Sequence, residues 1–454
     1  MGVDLESAGQ MSLLKECAWR TIVSLPEGHR LIALHNTISW GDLMKKAIPV
    51  LYEEQGISQS TGRILNLQAH LGAYILQTVH GWTDRWTEEM IRYYIPTRIF
   101  CGFLESTGSL DRTRIENFRN RFGEKGAKLI TQDMLNVARE FGFTAPEDMD
   151  MDTTVQEAGI THPTEMKLLD HMIKKAIRIH ETLKGLGKKG LKGVRNAAKK
   201  FSKIYTDYRF FAKAKEKKSK AVKKAVKMAK AIMEEIRQVG IGSKDLKELS
   251  SKVQKEILQL QELGPKLLEQ ILYWLATGKV AQNKIVSLWK SIPRAIPKGK
   301  IGKAVEFGRK WIVNCYRGGY VLLAAPENAK ISDQHCVTES LDLHFDVFGE
   351  SPKSYGADRG MWSEENIFQC QMAQVEKIGI QPKGKAKAMV SQKDYRHLKN
   401  RRAGIEPRIG HLKLRGLGKS RMKSDIGDLI SGHRSALSYN LALLMRDMNL
   451  QVAN

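Results

Sequence analysis

Residues 306–325 read E-F-G-R-K-W-I-V-N-C-Y-R-G-G-Y-V-L-L-A-A, two apolar, β-branched and aromatic runs meeting at Arg317-Gly318-Gly319. Adjacent glycines between such runs are a strong hairpin signal, because tight hairpin turns need positive φ. On the C-terminal side, DQHCVTESLDLHFDVFG (333–349) has helical periodicity, SYGAD (354–358) is a short strand, MWSEENIFQCQMAQ (361–374) a helix and VEKIGI (375–380) another strand. From about residue 393 the chain is helical, closing on HRSALSYNLALLMRDM (433–448). On the N-terminal side, SIPRAIPKGKIGK (291–303) reads as a Pro/Gly/Lys linker, and D-M-D-M-D-T-T-V-Q (148–156) as the first strand. The fold class expected is α/β: a mixed sheet core interrupted by a large helical insertion and preceded by an all-α segment. The boundaries are 1–145 for the helical N-terminal part, 146–163 with 296–454 for the sheet domain, and 164–295 for the insertion.

The chain has 454 residues, 42% of them apolar, which suits a globular protein with several cores. There is no run of 18 apolar residues of the kind that spans a bilayer. The opening MGVDLESAGQMSLLKEC is acidic and polar, unlike a signal peptide. Five cysteines, at 17, 101, 315, 336 and 370, show no C-x-x-C spacing, which suits reduced thiols in the cytoplasm better than a disulfide framework or zinc ribbon. With 74 Lys and Arg against 49 Asp and Glu, the net charge is +25. Such an excess favours polyanions, since neutralising phosphates releases condensed counterions. The excess is concentrated in the insertion: between Lys174 and Lys230 there are 21 Lys and Arg against Glu181, Asp207 and Glu216. Alanine and valine at helical spacing in KAKEKKSKAVKKAVKMAKAIMEEI (213–236) argue for basic helices rather than a disordered tail, and a less basic helical pattern covers roughly 244–278. GLGKKG (185–190) matches G-x-G-x-x-G but follows no strand, so it is not read as a dinucleotide site.

In the N-terminal part, RILNLQAHLGAYILQTVHGW (63–82) and TEEMIRYYIPTRIFCGFL (87–104) carry helical periodicity, with Thr83 and Thr87 as candidate N-caps. In SLDRTRIENFRNRFGEKGAKLI (109–130), a helix starting at Ser109 or Asp111 turns Ile115, Phe118 and Phe122 inward and Arg112, Arg114, Arg119 and Arg121 outward. This is either a DNA-reading helix or a solvated face.

Oxygen-donor side chains at strand ends suit hard cations such as Mg²⁺. The candidates are Asp152 in the first strand, Asp358 at the end of SYGAD, and Glu406 in RRAGIEPRIGHLK (401–413). On one continuous helix Arg402, Glu406 and Lys413 share a face. Pro407, with no N–H, requires either a kink or a helix starting there with Glu406 at its cap. His335, Cys336, His344 and Asp346 also lie close in sequence, but 336 and 344 fall about 80° apart on a helix and 335 lies elsewhere. Trp362 is read as packing rather than as a stacking platform for a displaced base.

In this order, these segments resemble the DDE transposases of bacterial insertion sequences along nearly the whole chain. LQTVHGWTDRWTEEMIRYYIPTRIFCGF and SLDRTRIENFRNRFGEKG resemble the helical N-terminal domain of that group, MDTTVQEAGITHPTEMKLL its first-aspartate motif, GKAVEFGRKWIVNCYRGGYVL the following hairpin, SYGADRGMWSEEN the second-aspartate motif, and RAGIEPRIGHLK the glutamate helix. Related signatures often carry a tyrosine three residues before the arginine; here that position is Lys399. The resemblance implies an RNase H-like core with Asp152, Asp358 and Glu406 as catalytic acids and ligands of two Mg²⁺ (or Mn²⁺) ions. It also implies Arg402 and Lys413 as phosphate contacts. The activity implied is metal-dependent hydrolysis and strand transfer at terminal inverted repeats. The expected partners are those repeats and target DNA, in a homodimeric synaptic complex at the nucleoid of a prokaryotic cytoplasm, with no membrane. The terminal-repeat contacts are expected from Arg112, Arg114, Arg119 and Arg121. The alternatives are a non-catalytic DNA-binding derivative or a nuclease without strand transfer. Asp148 and Asp150 are expected to be exposed where the chain enters the strand, so that Asp150→Asn is tolerated far better than Asp152→Asn.

Overall fold

The computed structural model describes residues 29–52, 66–103, 108–239, 249–300, 303–382 and 390–452. The polar opening stretch, residues 1–17, lies outside the described residues. Contacts divide the chain into two units, one running to Glu157 and resuming at Lys310, the other covering Ala158–Arg309.

The first unit is mixed α/β. Its N-terminal part contains α1 (Arg30–Thr37), α2 (Trp40–Leu51), α3 (Leu67–His80), α4 (Asp84–Tyr93), α5 (Ile95–Phe100) and α6 (Arg112–Glu140). Local chemistry sets these limits. The Asn66 side chain accepts from the Ala69 N–H to start α3, which ends on left-handed Gly81. Thr83 caps α4 by accepting from Trp86 N–H. Thr87, the other candidate cap, lies inside α4, where its hydroxyl bonds the Thr83 carbonyl. The stretch 87–104 is not one helix: the chain is extended at Tyr94, before Pro96 in the first turn of α5. Asp111 accepts from Thr113 and Arg114 N–H to open α6, which is 29 residues long and broken by Gly123.

The sheet strands of this unit are β1 (Asp148–Glu157), the later part of β3 (Lys303–Tyr316), β4 (Val321–Ala324), β5 (Ser354–Ala357) and β6 (Lys377–Ile380). Their order is β4-β3-β1-β5-β6, an open mixed sheet in which β4 is antiparallel to β3, while β5 runs parallel to β1 and β6 to β5. The hairpin read from residues 306–325 is present, turning through Arg317–Gly319. Between the strands come α11 (Val337–Phe348) and α12 (Glu364–Met372), and after them α13 (Gln392–Ala403), α14 (Ile405–Leu412), a π turn (Lys413–Leu417) and α15 (Asp425–Val452). Alternation along β3 divides the core. Ile312 and Tyr316 pack with the N-terminal helices, α11 and α15, while Trp311, Val313 and Cys315 face Ile405, Leu412 and Leu417. The N-terminal helices are thus part of this unit's main core, and α15 packs on α6 and α3. Trp362 is packed against the same core. Cys101, Cys315, Cys336 and Cys370 are free and buried.

His344 of α11 is buried, with Nδ1 3.3 Å from the Tyr316 hydroxyl and Nε2 without a hydrogen-bond partner among the described residues. Burial, helped by Arg139, pushes its pKa down to about 4. A folded-state pKa below the unfolded value means that stability is fully present above pH 6.5 and is lost as pH falls towards 4. The loss by pH 4 is about 3 kcal/mol at 1.4 kcal/mol per unit. In His344→Phe, the acid limb of a Tm-against-pH curve is expected to flatten; an unchanged limb would assign acid sensitivity elsewhere.

The second unit is built on α7 (Glu165–Gly185), α8 (Val194–Phe210), α9 (Lys215–Arg237) and α10 (Ser251–Thr277). Val222, Ala225, Val226 and Ala229 of α9 pack against Met172 and Ile173 of α7 and Leu260 of α10, while Lys217, Lys220, Lys223 and Lys227 are exposed. The basic run is therefore an amphipathic helix with a lysine face. Most of the stretch read as a linker is a strand: β2 (Arg294–Lys300) pairs antiparallel with the start of β3, with Arg294 opposite Gly308 and Pro297 opposite Val305. Among the described residues, no helix is long and apolar enough to cross a membrane.

Candidate functional site

The aspartate run lies along β1, next to β5. Asp148 is opposite Ser354 and Asp150 opposite Gly356. The same register carried two residues further sets Asp152 opposite Asp358, and neighbouring strands are about 4.8 Å apart. Two acids far apart in sequence thus come together where β5 ends, beside the middle of β1.

Arg402, at the end of α13, joins them. Its guanidinium lies 3.5 Å from Asp152 Oδ2 and 3.7 Å from Asp358 Oδ1. Asp152 Oδ1 accepts from the Thr153 N–H and Asp358 Oδ1 from the Arg359 N–H, each at 2.7 Å. Burial raises the Asp152 pKa, and the negative charges of Asp358 and Asp333 add to the rise, while the Thr153 N–H and Arg402 oppose it. Asp333 had no sequence motif to flag it. It accepts from Thr153 Oγ1 and from Lys310 Nζ, both at 2.6 Å, bringing a third carboxylate beside Asp152.

Of the other two aspartates of the run, Asp148 is part-exposed but Asp150 is not an exposed approach. Asp150 is 2% exposed, and its oxygens accept from Arg401 Nε at 2.9 Å and Nη2 at 3.0 Å. Arg401 also donates to Asp148 Oδ1 at 2.7 Å and to the Met149 carbonyl at 3.0 Å. Gly356 is required here, because a Cβ at that position would lie 2.2 Å from Asp150 Oδ1. Asp148 and Asp150 thus anchor α13 to the strand through Arg401. One residue further on, Arg402 reaches Asp152, the last of the same acidic row.

Arg402, Glu406 and Lys413 do not lie on one continuous helix. Pro407 cannot donate to the Ala403 carbonyl, and α13 ends at Ala403. α14 begins after Gly404, with Glu406 in its first turn rather than at its cap and Pro407 following inside the helix. Glu406 is exposed and Lys413 opens the π turn; neither touches Asp152 or Asp358. Arg408 of α14 instead points inward, Nη1 lying 2.8 Å from Cys315 Sγ.

Of the four candidate arginines in the first half of α6, Arg112 and Arg114 are exposed, with Arg114 Nε 3.1 Å from Asp111. Arg119 is not outward-facing: it pairs with Asp84 and reaches Gln77 Oε1 at 3.2 Å. Arg121 lies over the Tyr52 ring at 4.6 Å and donates to the Leu51 carbonyl. These two hold the N-terminal helices together, Arg119 joining α6 to α3 and α4 and Arg121 joining it to the end of α2.

Among the described residues, no group of three or more His, Cys, Asp or Glu is placed to hold a metal ion. The Asp152–Asp358 pair does fit a hard divalent cation. Both carboxylates already face one cationic group, Arg402, and Mg²⁺ is commonly held by one or two carboxylates with water and phosphate completing its shell.

Comparison with known proteins adds the following. No solved structure matches the chain. A protein of Rhizobium meliloti, described as uncharacterized protein ORF8 in the nfe locus, is 25% identical over 156 residues, covering 33% of this chain and 71% of that protein. Residues 21–121 match the family model described as a transposase domain (DUF772), and the similarity of the N-terminal helices to such a domain supports a transposase-related function.

Proposed function

We propose that the chain is a DNA transposase acting by metal-dependent phosphoryl transfer, with Asp152 and Asp358 as its central acids. The observation that carries this reading is the meeting of the two acids on Arg402. The open mixed sheet, with β1 at its centre and the second unit entering directly after it, supports an RNase H-like core. Asp152 and Asp358 would hold Mg²⁺ or Mn²⁺, and Glu406 is proposed as the third acid, entering from the first turn of α14. A two-ion site would supply positive charge to the attacking and leaving oxygens of a phosphodiester. Arg402 balances the paired carboxylates and orients scissile phosphate by charge-assisted hydrogen bonding. Terminal inverted repeats and target DNA are the proposed partners, held through Arg112, Arg114, Lys413 and the lysine face of α9. Joining two ends favours a homodimer.

The test is strand cleavage and joining on duplexes carrying the DNA that flanks the coding sequence, with Mg²⁺ or Mn²⁺. The parent protein is expected to cut and join, and Asp358→Ala to do neither. Equal cleavage by Asp358→Ala would overturn the acid assignment. Cleavage without joining would make the protein a nuclease. The exposed position of Glu406, away from the acid pair, favours a DNA-binding derivative as the second reading, and the absence of any cleavage by the parent would establish it.

A further inference from the structure

A cavity of 690 Å³ lies in the first unit, away from the acid pair. Its lining includes Lys413, Arg415, Lys419, Arg421 and Arg434 and, among the described residues, contains no Asp or Glu. Among those residues, none of the five cations forms an ion pair with a carboxylate. Arg415 donates to Ser438 Oγ at 2.9 Å, while Arg434 donates to Thr78 Oγ1 at 3.0 Å and Gln77 Oε1 at 3.1 Å. Their neutral partners position the guanidiniums without cancelling their charge. Asp84, held by Gln77 and Arg119 outside the lining, acts on Arg434 only at longer range, and a cluster with no acid in its lining attracts an anion.

The same wall carries His80 and Trp82, stacked with ring centroids 4.4 Å apart and planes 15° apart. Cations beside a flat aromatic surface are the elements of single-strand recognition, where the backbone follows positive charge and bases stack on rings. The volume falls within the roughly 300–1,000 Å³ of small-ligand pockets. It accommodates a nucleotide, whereas a duplex is far wider.

The cavity is also tied to the strand that carries Asp152. The Glu157 N–H donates to the Gly418 carbonyl and the Ser420 N–H to the Glu157 carbonyl. Gly416, at φ +121 within the π turn, accepts from Gln156 Nε2 and Ser431 Oγ, each at 3.3 Å. π turns inside helical segments often mark functional positions. Here the turn presents Lys413 and Arg415 to the cavity while bonding to the end of β1.

We propose that this cavity binds an unpaired DNA strand: an extruded nucleotide or single-stranded end, held by its phosphates on the cationic wall and by its base at the His80–Trp82 pair. The proposal rests on DNA being the substrate class, but not on the acid assignment. Binding is therefore tested in EDTA, with the full chain and a fluorescent oligothymidylate.

Lys419→Gln/Arg421→Gln changes two exposed side chains, and Lys330→Gln/Lys353→Gln removes the same charge elsewhere on the surface. The cavity variant is expected to bind about tenfold more weakly, with a log K against log salt slope shallower by about 1.4, or about 0.7 for each phosphate no longer neutralised. The control is expected to match the parent. Equal losses in both variants, or no loss in the cavity variant, would overturn the proposal. So would inorganic phosphate competing as well as the oligonucleotide at equal phosphate concentration, or a loss confined to duplex DNA. If strand binding behaves as expected while Asp358→Ala still cleaves, the cavity stands and the acid assignment falls.

Discussion

Asp152→Asn is expected to give a folded protein that has lost strand cleavage by about 10²–10³-fold or more, the scale on which one preorganised charged group is felt at a reacting centre. The fold survives because the Asp152 charge is not what holds it together. Burial and the neighbouring Asp358 and Asp333 raise its pKa, so its negative charge is disfavoured by its surroundings. Asparagine keeps the size and the acceptor for the Thr153 N–H, removes the repulsion and leaves Arg402 to Asp358. Tm should therefore be unchanged or slightly raised while turnover disappears. A Tm drop in step with the activity loss would make Asp152 structural, and full activity would remove it from the site. Differential scanning calorimetry beside a gel cleavage assay separates the outcomes.

The hairpin at residues 306–325 and the short strand ahead of Asp358 were legible because their signals are local: glycines at a turn, β-branched residues on either side, and a strand ending where the chain must turn. β2 was missed because Pro297 and Gly299 resemble a linker; an edge strand tolerates proline because its outer side makes no ladder bonds. The break between Arg402 and Glu406 was half legible, since Pro407 announced either a kink or a new helix capped by Glu406, and the new helix starts slightly earlier, after Gly404. Asp333 carried no signal, being one acid in a short turn that reaches the site through Thr153 and Lys310. The basic cavity could not be read from sequence because residues 77–82 and 413–438 form it jointly. The role of Asp150 was hidden for the same reason. Three aspartates at alternate positions are equivalent on a strand, and only the arrival of Arg401, 251 residues away, makes one of them part of the core.

That pairing reverses the simple ranking of the aspartates by tolerance. Asp150→Asn is expected to lower stability by about 3–5 kcal/mol, the usual consequence of breaking a buried ion pair from one side. Arg401→Gln should cost a similar amount, leaving Asp150 buried and unpaired at 2% exposure. The two side chains meet through two hydrogen bonds, so their effects are coupled. In the double variant Asp150→Asn/Arg401→Gln, two neutral amides replace two charges, and the total cost should fall short of the sum by about 1–3 kcal/mol. Asp148 contributes less, because its carboxylate is 38% exposed and water can replace the arginine. Urea unfolding of the four proteins measures the coupling, and additive effects would mean that the Asp150–Arg401 pair does not hold α13 to β1. Cleavage per folded molecule should fall in Arg401→Gln despite intact acids, because Arg401 fixes the helix end from which Arg402 reaches Asp152 and Asp358. Restoring that end with Arg401→Lys should recover only part of the loss, since lysine cannot reproduce the paired donation from Nε and Nη2 to the two oxygens of Asp150.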